Sequence, residues 1–120
     1  MSREKERNEK RKTNLLDLIP VRNIDWKKEK EGQIVLLKPK FKNPILAKHF
    51  LPRLKNPYYK IKLDDVGSSL WELCNGNLTV EELAKCMKDK FGDKIEPLYD
   101  RLSLFLQSLE RNRFIVYKRK

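Results

Sequence analysis

Histidine occurs once in the 120 residues, as His49, and cysteine twice, as Cys74 and Cys86. A lone histidine with no Cys or His at ligand spacing leaves too few donors for a metal site, so no metal is expected. The two cysteines fall within expected helices, which suits buried, reduced thiols better than a disulfide in a reducing compartment. Glycine is scarce at four residues, and no Gly-rich phosphate loop is present. No apolar run approaches the roughly 18 residues of a membrane span. The opening MSREKERNEKRK lacks the apolar core of a secretory signal, so a cytoplasmic location with no membrane partner is expected. No nucleophile stands beside a base, and Asp64-Asp65 reads as a helix cap rather than a metal pair. An enzyme is therefore not expected, and neither is a cofactor.

What is abundant is charge. Apolar residues make up 39% and charged residues 38%, as in a small soluble protein of one domain with a well-solvated surface. The net charge of +11 is unevenly placed. Residues 1–20 carry six Lys/Arg against four acids, residues 21–63 twelve against three, and residues 64–120 ten against ten. The positive field belongs to the first half of the chain.

Residues 1–13 are polar and aperiodic, which predicts a disordered or weakly helical tail. Leu15, Leu16, Leu18 and Ile19 suit a short helical turn ended by Pro20. Residues 21–29 and 33–38 (QIVLLK) read as a hairpin around Lys30-Glu31-Gly32, and Pro39 stops its second strand. Residues 40–57 hold three prolines and an apolar patch at Ile45, Leu46, Phe50 and Leu51. They read as one or two helical turns in a connector packing on the hairpin. Arg53 and Lys55 there suit either an anion contact or a solvated loop. Residues 58–63 (YYKIKL) alternate, with Tyr59, Ile61 and Leu63 on one face and Tyr58, Lys60 and Lys62 on the other.

Helix signals are strongest from residue 62 to 87. Asp64 or Asp65 suits an N-cap, and Val66, Leu70, Trp71, Leu73 and Cys74 make a stripe that Gly76 ends. Thr79 opens a second helix as a capping box with Glu82; Val80, Leu83, Ala84, Met87 and Phe91 recur until Gly92. A third helix is expected from about Ile95 to Arg111 on Ile95, Leu98, Leu102, Phe105 and Leu109, widened by Tyr99 and Leu106. Residues 114–117 close as a strand. The fold class is α+β, with a small antiparallel sheet of three N-terminal strands, then three helices and a short C-terminal strand.

That order and these residues resemble the PqqD family of pyrroloquinoline quinone synthesis, whose fold recurs as the RiPP recognition element. The matching residues are Ile61-Lys62-Leu63, Trp71-Glu72-Leu73, Asn75-Gly76, Thr79-Val80-Glu81-Glu82-Leu83, Phe91-Gly92, Leu106, Leu109-Glu110 and Phe114-Ile115. Trp26 and Val35-Leu36-Leu37 fit its hairpin. The resemblance implies a winged helix-turn-helix-like, peptide-binding domain over residues 20–117. Residues 1–19 would be an extra basic segment, residues 40–57 a longer connector and residues 118–120 a charged tail. It further implies a non-catalytic chaperone. The leader of a precursor peptide is bound as an added strand beside the third strand, in a groove walled by the third helix. A radical SAM or other peptide-modifying enzyme then receives it.

On that model Tyr58, Tyr59, Lys60, Ile61, Lys62 and Leu63 supply the binding edge. Lys60 and Lys62 either favour an acidic peptide or guard the edge against self-pairing, and a homodimer through that edge is a further option. Leu104 lies about 155° from the centre of the third helix's apolar stripe, with Arg101 and Ser108 beside it. It is either an ordinary exposed leucine or a peptide anchor. The competing reading is a winged-helix nucleic-acid binder. Glu96 and Asp100 occupy the turns that would meet the duplex, so no specific nucleic acid is expected.

Overall fold

The computed structural model describes residues 15–119. Its elements are β1 (Leu18–Arg22), β2 (Trp26–Lys28), β3 (Ile34–Pro39), α1 (Pro44–Phe50), a 3-10 turn (Leu51–Arg53) and β4 (Tyr58–Lys62). There follow α2 (Asp65–Leu73), α3 (Val80–Phe91), a second 3-10 turn (Gly92–Ile95), α4 (Leu98–Arg111) and β5 (Ile115–Arg119). The fold is mixed α and β with small antiparallel sheets. Two compact units share the chain, Ile24–Ser68 and the residues on either side of it. The tail expected over residues 1–13 lies outside the described residues.

The Ile24–Ser68 unit holds a sheet in the order β2-β3-β4. Its hairpin turns at Gly32, whose φ of 90° a side chain would oppose. The Gly32 amide donates to the Glu29 carbonyl at 2.9 Å, and the Glu29 amide to the Gln33 carbonyl at 2.8 Å. Trp26 faces Leu36 and Lys28 faces Ile34. Ile34, Val35 and Leu36 are buried, and Pro39 ends β3. The connector leaves and rejoins at one end of the sheet, where the Lys40 amide donates to the Pro57 carbonyl at 3.1 Å. Within it the Asn43 side chain caps α1 by accepting from the Ile45 and Leu46 amides. The apolar face expected to pack on the hairpin does not: α1 has no buried residue. Periodicity defines a face but not a cover, and the apolar side chains Ile45, Leu46 and Phe50 remain exposed.

At the foot of this unit the Asp64 carboxylate accepts the Gly67 amide at 2.7 Å, which identifies Asp64 as the cap of α2. Ser68 Oγ accepts the Ile34 amide at 2.9 Å and donates to the Leu63 carbonyl at 3.3 Å. Gln33 Nε2 donates to the same carbonyl at 3.1 Å. These bonds fix the first turn of α2 to the sheet edge that Leu63 leaves.

In the other unit residues 15–17 are helical, but the chain then enters β1 instead of stopping at Pro20. β1 pairs antiparallel with β5, from Leu18 opposite Arg119 to Arg22 opposite Ile115. The Asn23 amide donates to the Phe114 carbonyl at 2.8 Å, so by alternation Pro20 and Tyr117 form a non-hydrogen-bonded pair. The missing proline N–H therefore costs no ladder bond. Four expected strands become five, in two sheets, and the closing strand runs on to Arg119. On its other side β1 is bridged by Asn75, with the Arg22 amide on the Cys74 carbonyl and the Gly76 amide on the Pro20 carbonyl. Gly76 has φ 85°, a conformation glycine adopts freely. Arg22 Nη1 also donates to the Trp71 and Glu72 carbonyls at 3.3 and 2.9 Å, satisfying the C-terminal end of α2.

Thr79 caps α3 as expected, with its Oγ1 accepting the Glu82 amide and Glu82 Oε1 accepting the Thr79 amide. Val80, Leu83, Ala84 and Met87 are buried, and Gly92 ends the helix. α4 starts at Leu98, three residues later than expected, after the second 3-10 turn and Pro97. Its buried stripe is Leu98, Leu102, Leu106 and Leu109, while Tyr99 is 54% exposed and does not widen it. Cys74 is buried, but Cys86 is exposed, against expectation. At 100° per residue Cys86 sits off the Leu83–Met87 stripe.

Candidate functional site

β4 is an edge strand. The Leu63 amide donates to the Ile34 carbonyl at 2.9 Å, and Pro57 accepts from Lys40, so both turn their backbone toward β3. Alternation then turns Tyr59 and Ile61 inward as well. Tyr58, Lys60 and Lys62 direct their N–H and C=O groups to the outer edge, where no strand pairs among the described residues. Side chains alternate independently. Tyr59, Ile61 and Leu63 share a sheet face with Lys38, Leu36 and Ile34, while Tyr58, Lys60 and Lys62 share the other with Pro39, Leu37 and Val35. Tyr59 is 56% exposed, with Lys40 Nζ 5.5 Å from its ring centroid.

The electrostatics of the segment from β3 through β4 are one-signed. Residues 33–63 contain eight Lys/Arg and no Asp or Glu. A strand laid along β4 would meet cations on one face and mostly apolar groups on the other.

The second group of expected residues lies on α4. Leu104 is 68% exposed, and Arg101 and Ser108 are exposed with it. The Arg101 guanidinium donates to the Lys94 carbonyl at 2.9 Å, and the Ser108 carbonyl accepts the Asn112 amide and its side chain. Arg101 thus spends one donor tying α4 to the preceding turn. Near the start of α4, Glu96 accepts from Lys88 Nζ at 2.6 Å, and Asp93 from the same ammonium at 3.3 Å. The Lys88 hydrogen bond, then the Leu98 amide, hold the Glu96 carboxyl below its ordinary range. Carboxylates therefore line this end of the helix.

Burial raises the Cys74 thiol to about 12, partly offset by the nearby Arg22 charge. A thiol held neutral is a poor nucleophile. Among the described residues no three His, Cys, Asp or Glu side chains cluster as metal ligands, and no helix is long and apolar enough to cross a membrane. Two surfaces escaped the sequence reading. The outer edge of β5 was hidden because its pairing with β1 was not expected. The bare apolar side of α1 was visible as a pattern but assigned to the interior.

A family model described as Coenzyme PQQ synthesis protein D (PqqD) matches residues 55–115. The match takes in β4, α2, α3, α4 and the first residue of β5, and leaves out β1, β2, β3 and α1. No curated protein and no solved structure matches the chain.

Proposed function

The chain belongs to the PqqD family, and on that premise we propose that it is a non-catalytic, winged-helix-like peptide-binding module. It takes up the leader of a precursor peptide by strand addition and presents it to a modifying enzyme, of the radical SAM type in the family's best-known setting. The observation that carries this reading is the unpaired outer edge of β4, which lies inside the matched segment. Strand addition needs free backbone donors and acceptors for affinity and side-chain contacts for register. Tyr58, Lys60 and Lys62 offer the first.

The side chains specify the second. Residues of an added strand alternate between the two sheet faces. Acidic residues beside Lys60 and Lys62 gain Coulomb attraction, while apolar residues lie beside Tyr59, Ile61 and Leu63. The leader segment is therefore acidic and apolar by turns over about five residues, and a slip of one residue inverts every contact. The exposed α4 side chains Arg101, Leu104 and Ser108 form a further candidate contact for the peptide, tested separately by Leu104→Ala.

Calorimetry with an alternating acid–apolar peptide and a block-ordered isomer of equal composition tests the reading. The alternating peptide is expected to bind more tightly and to shift the amide signals of residues 58–63. Strand addition is wrong if peptides encoded beside the gene perturb neither residues 58–63 nor residues 97–108. A homodimer through β4 competes for the same donors, and like charge opposes it. Nucleic-acid binding is not favoured, because Glu96 and Asp100 stand where a reading helix meets phosphates.

A further inference from the structure

The α1 excursion lies outside the family match and does no work in the core. Ile45 is 69% exposed, and Leu46, Phe50 and Leu54 are exposed as well. Phe41 packs against Phe50 with ring centroids 6.0 Å apart and planes tilted by 43°, which joins it to the same patch. On a helical wheel Ile45, Leu46 and Phe50 fall within an arc of about 140° that also holds His49, and Lys48 falls outside it. Lys40, Lys42, Lys48, Arg53 and Lys55 surround the patch in sequence, and no acid occurs anywhere in residues 33–63.

We infer that this excursion docks the protein peripherally on an anionic lipid surface. Apolar side chains exposed on a short helix, in a segment whose every charge is positive, match the chemistry of an interfacial anchor. The apolar tips enter the acyl boundary, while the long lysine and arginine stems let their charged ends reach the headgroups. A second copy of the chain is a poor occupant, because this unit would meet its own cations. A specific protein partner is also a weaker fit, since such interfaces fix register with charges arranged in a complementary pattern and seat anchors in pockets. The absence of a spanning helix among the described residues does not bear on surface contact.

Co-sedimentation of the full chain with phosphatidylcholine vesicles, with or without a share of phosphatidylglycerol, tests this. Binding is expected only to the anionic vesicles and should weaken as salt rises. The triple variant Ile45→Ser, Leu46→Ser, Phe50→Ser keeps the net charge and touches only unburied positions. It should lower partitioning by about tenfold, with an unchanged circular dichroism spectrum. Three results overturn the proposal: no sedimentation of the wild-type chain, equal sedimentation of the triple variant, or capture of soluble poly-glutamate through those residues without vesicle binding. Lys60 and Lys62 are unaltered throughout, so the outcome is independent of leader binding.

Discussion

At the scale of single residues, Cys74 and Cys86 show how much environment outweighs residue type. Cys74, whose own carbonyl accepts the Arg22 amide, has its thiol buried, and Cys86 sits on the open side of α3. A thiol reagent should therefore label one cysteine, Cys86, in the native protein and both in denaturant, as read by intact mass. Rapid native labelling of Cys74 would contradict the packing described. The same burial has a consequence for pH. A folded pKa raised from 9.0 to about 12 means that the unfolded thiol ionises first, so its share of stability is whole below 9.0 and lost as pH rises toward 12. Tyr117 acts in the same direction, raised by burial and then by the Glu110 and Cys74 charges. Urea midpoints should fall through this alkaline window, and Cys74→Ala should flatten part of the fall. The exposure of Cys86 was legible in the sequence, because the helical period places it off the apolar stripe. The residue's usual preference for the interior led the other way.

At the scale of elements, what was legible was local. Asp64, Thr79-Glu82 and Gly92 each act within a few residues, capping α2 and bounding α3, whereas α2 ended at Leu73, short of Gly76, which lies instead in the segment bridged to β1. β1 was not legible, because its partner β5 is more than 90 residues away and Pro20 looked like a stop. Only the pairing register shows that Pro20 turns its nitrogen away from β5, so that no bond of that ladder is lost. The cover of α1 was hidden for a similar reason, since an apolar period does not say whether another element reaches it. The β4 edge was legible as a strand, but which residues face outward follows from the register alone. That register allows a backbone test. Lys60→Pro removes an N–H that points to the open edge, whereas Ile61→Pro removes one that points to β3. With Lys60→Ala as the side-chain control, Lys60→Pro should weaken leader binding by about tenfold or more, roughly one lost hydrogen bond to a buried edge. The urea midpoint should stay near that of Lys60→Ala, while Ile61→Pro should lower it clearly. Equal leader affinity for the Lys60→Pro and Lys60→Ala variants would remove β4 as the docking edge.

At the scale of the whole chain, the charge is segregated: residues 64–120 balance, and residues 33–63 are cationic without exception. On the proposed reading the two roles of Lys60 and Lys62 are compatible, because attraction for an acidic strand and resistance to self-pairing are one property. Two copies pairing antiparallel about Lys60 would set Lys60 opposite Lys60 on one face, with Lys62 next to Tyr58. Like charges directly opposite are destabilising in such a ladder. The wild-type chain should therefore sediment as a monomer at low salt, and so should the double variant Lys60→Glu, Lys62→Glu, which faces acid with acid. An equimolar mixture of the two sets Lys60 of one chain against the glutamate at that position of the other, and its weight-average mass should rise above that of either alone. Salt should reverse the rise by screening the pairs, over a Debye length that shrinks to about 10 Å at 0.1 M. A wild-type dimer at low salt, or a mixture no heavier than its components, would mean that these lysines do not govern the edge, and the preference for acidic leaders would lose its physical basis.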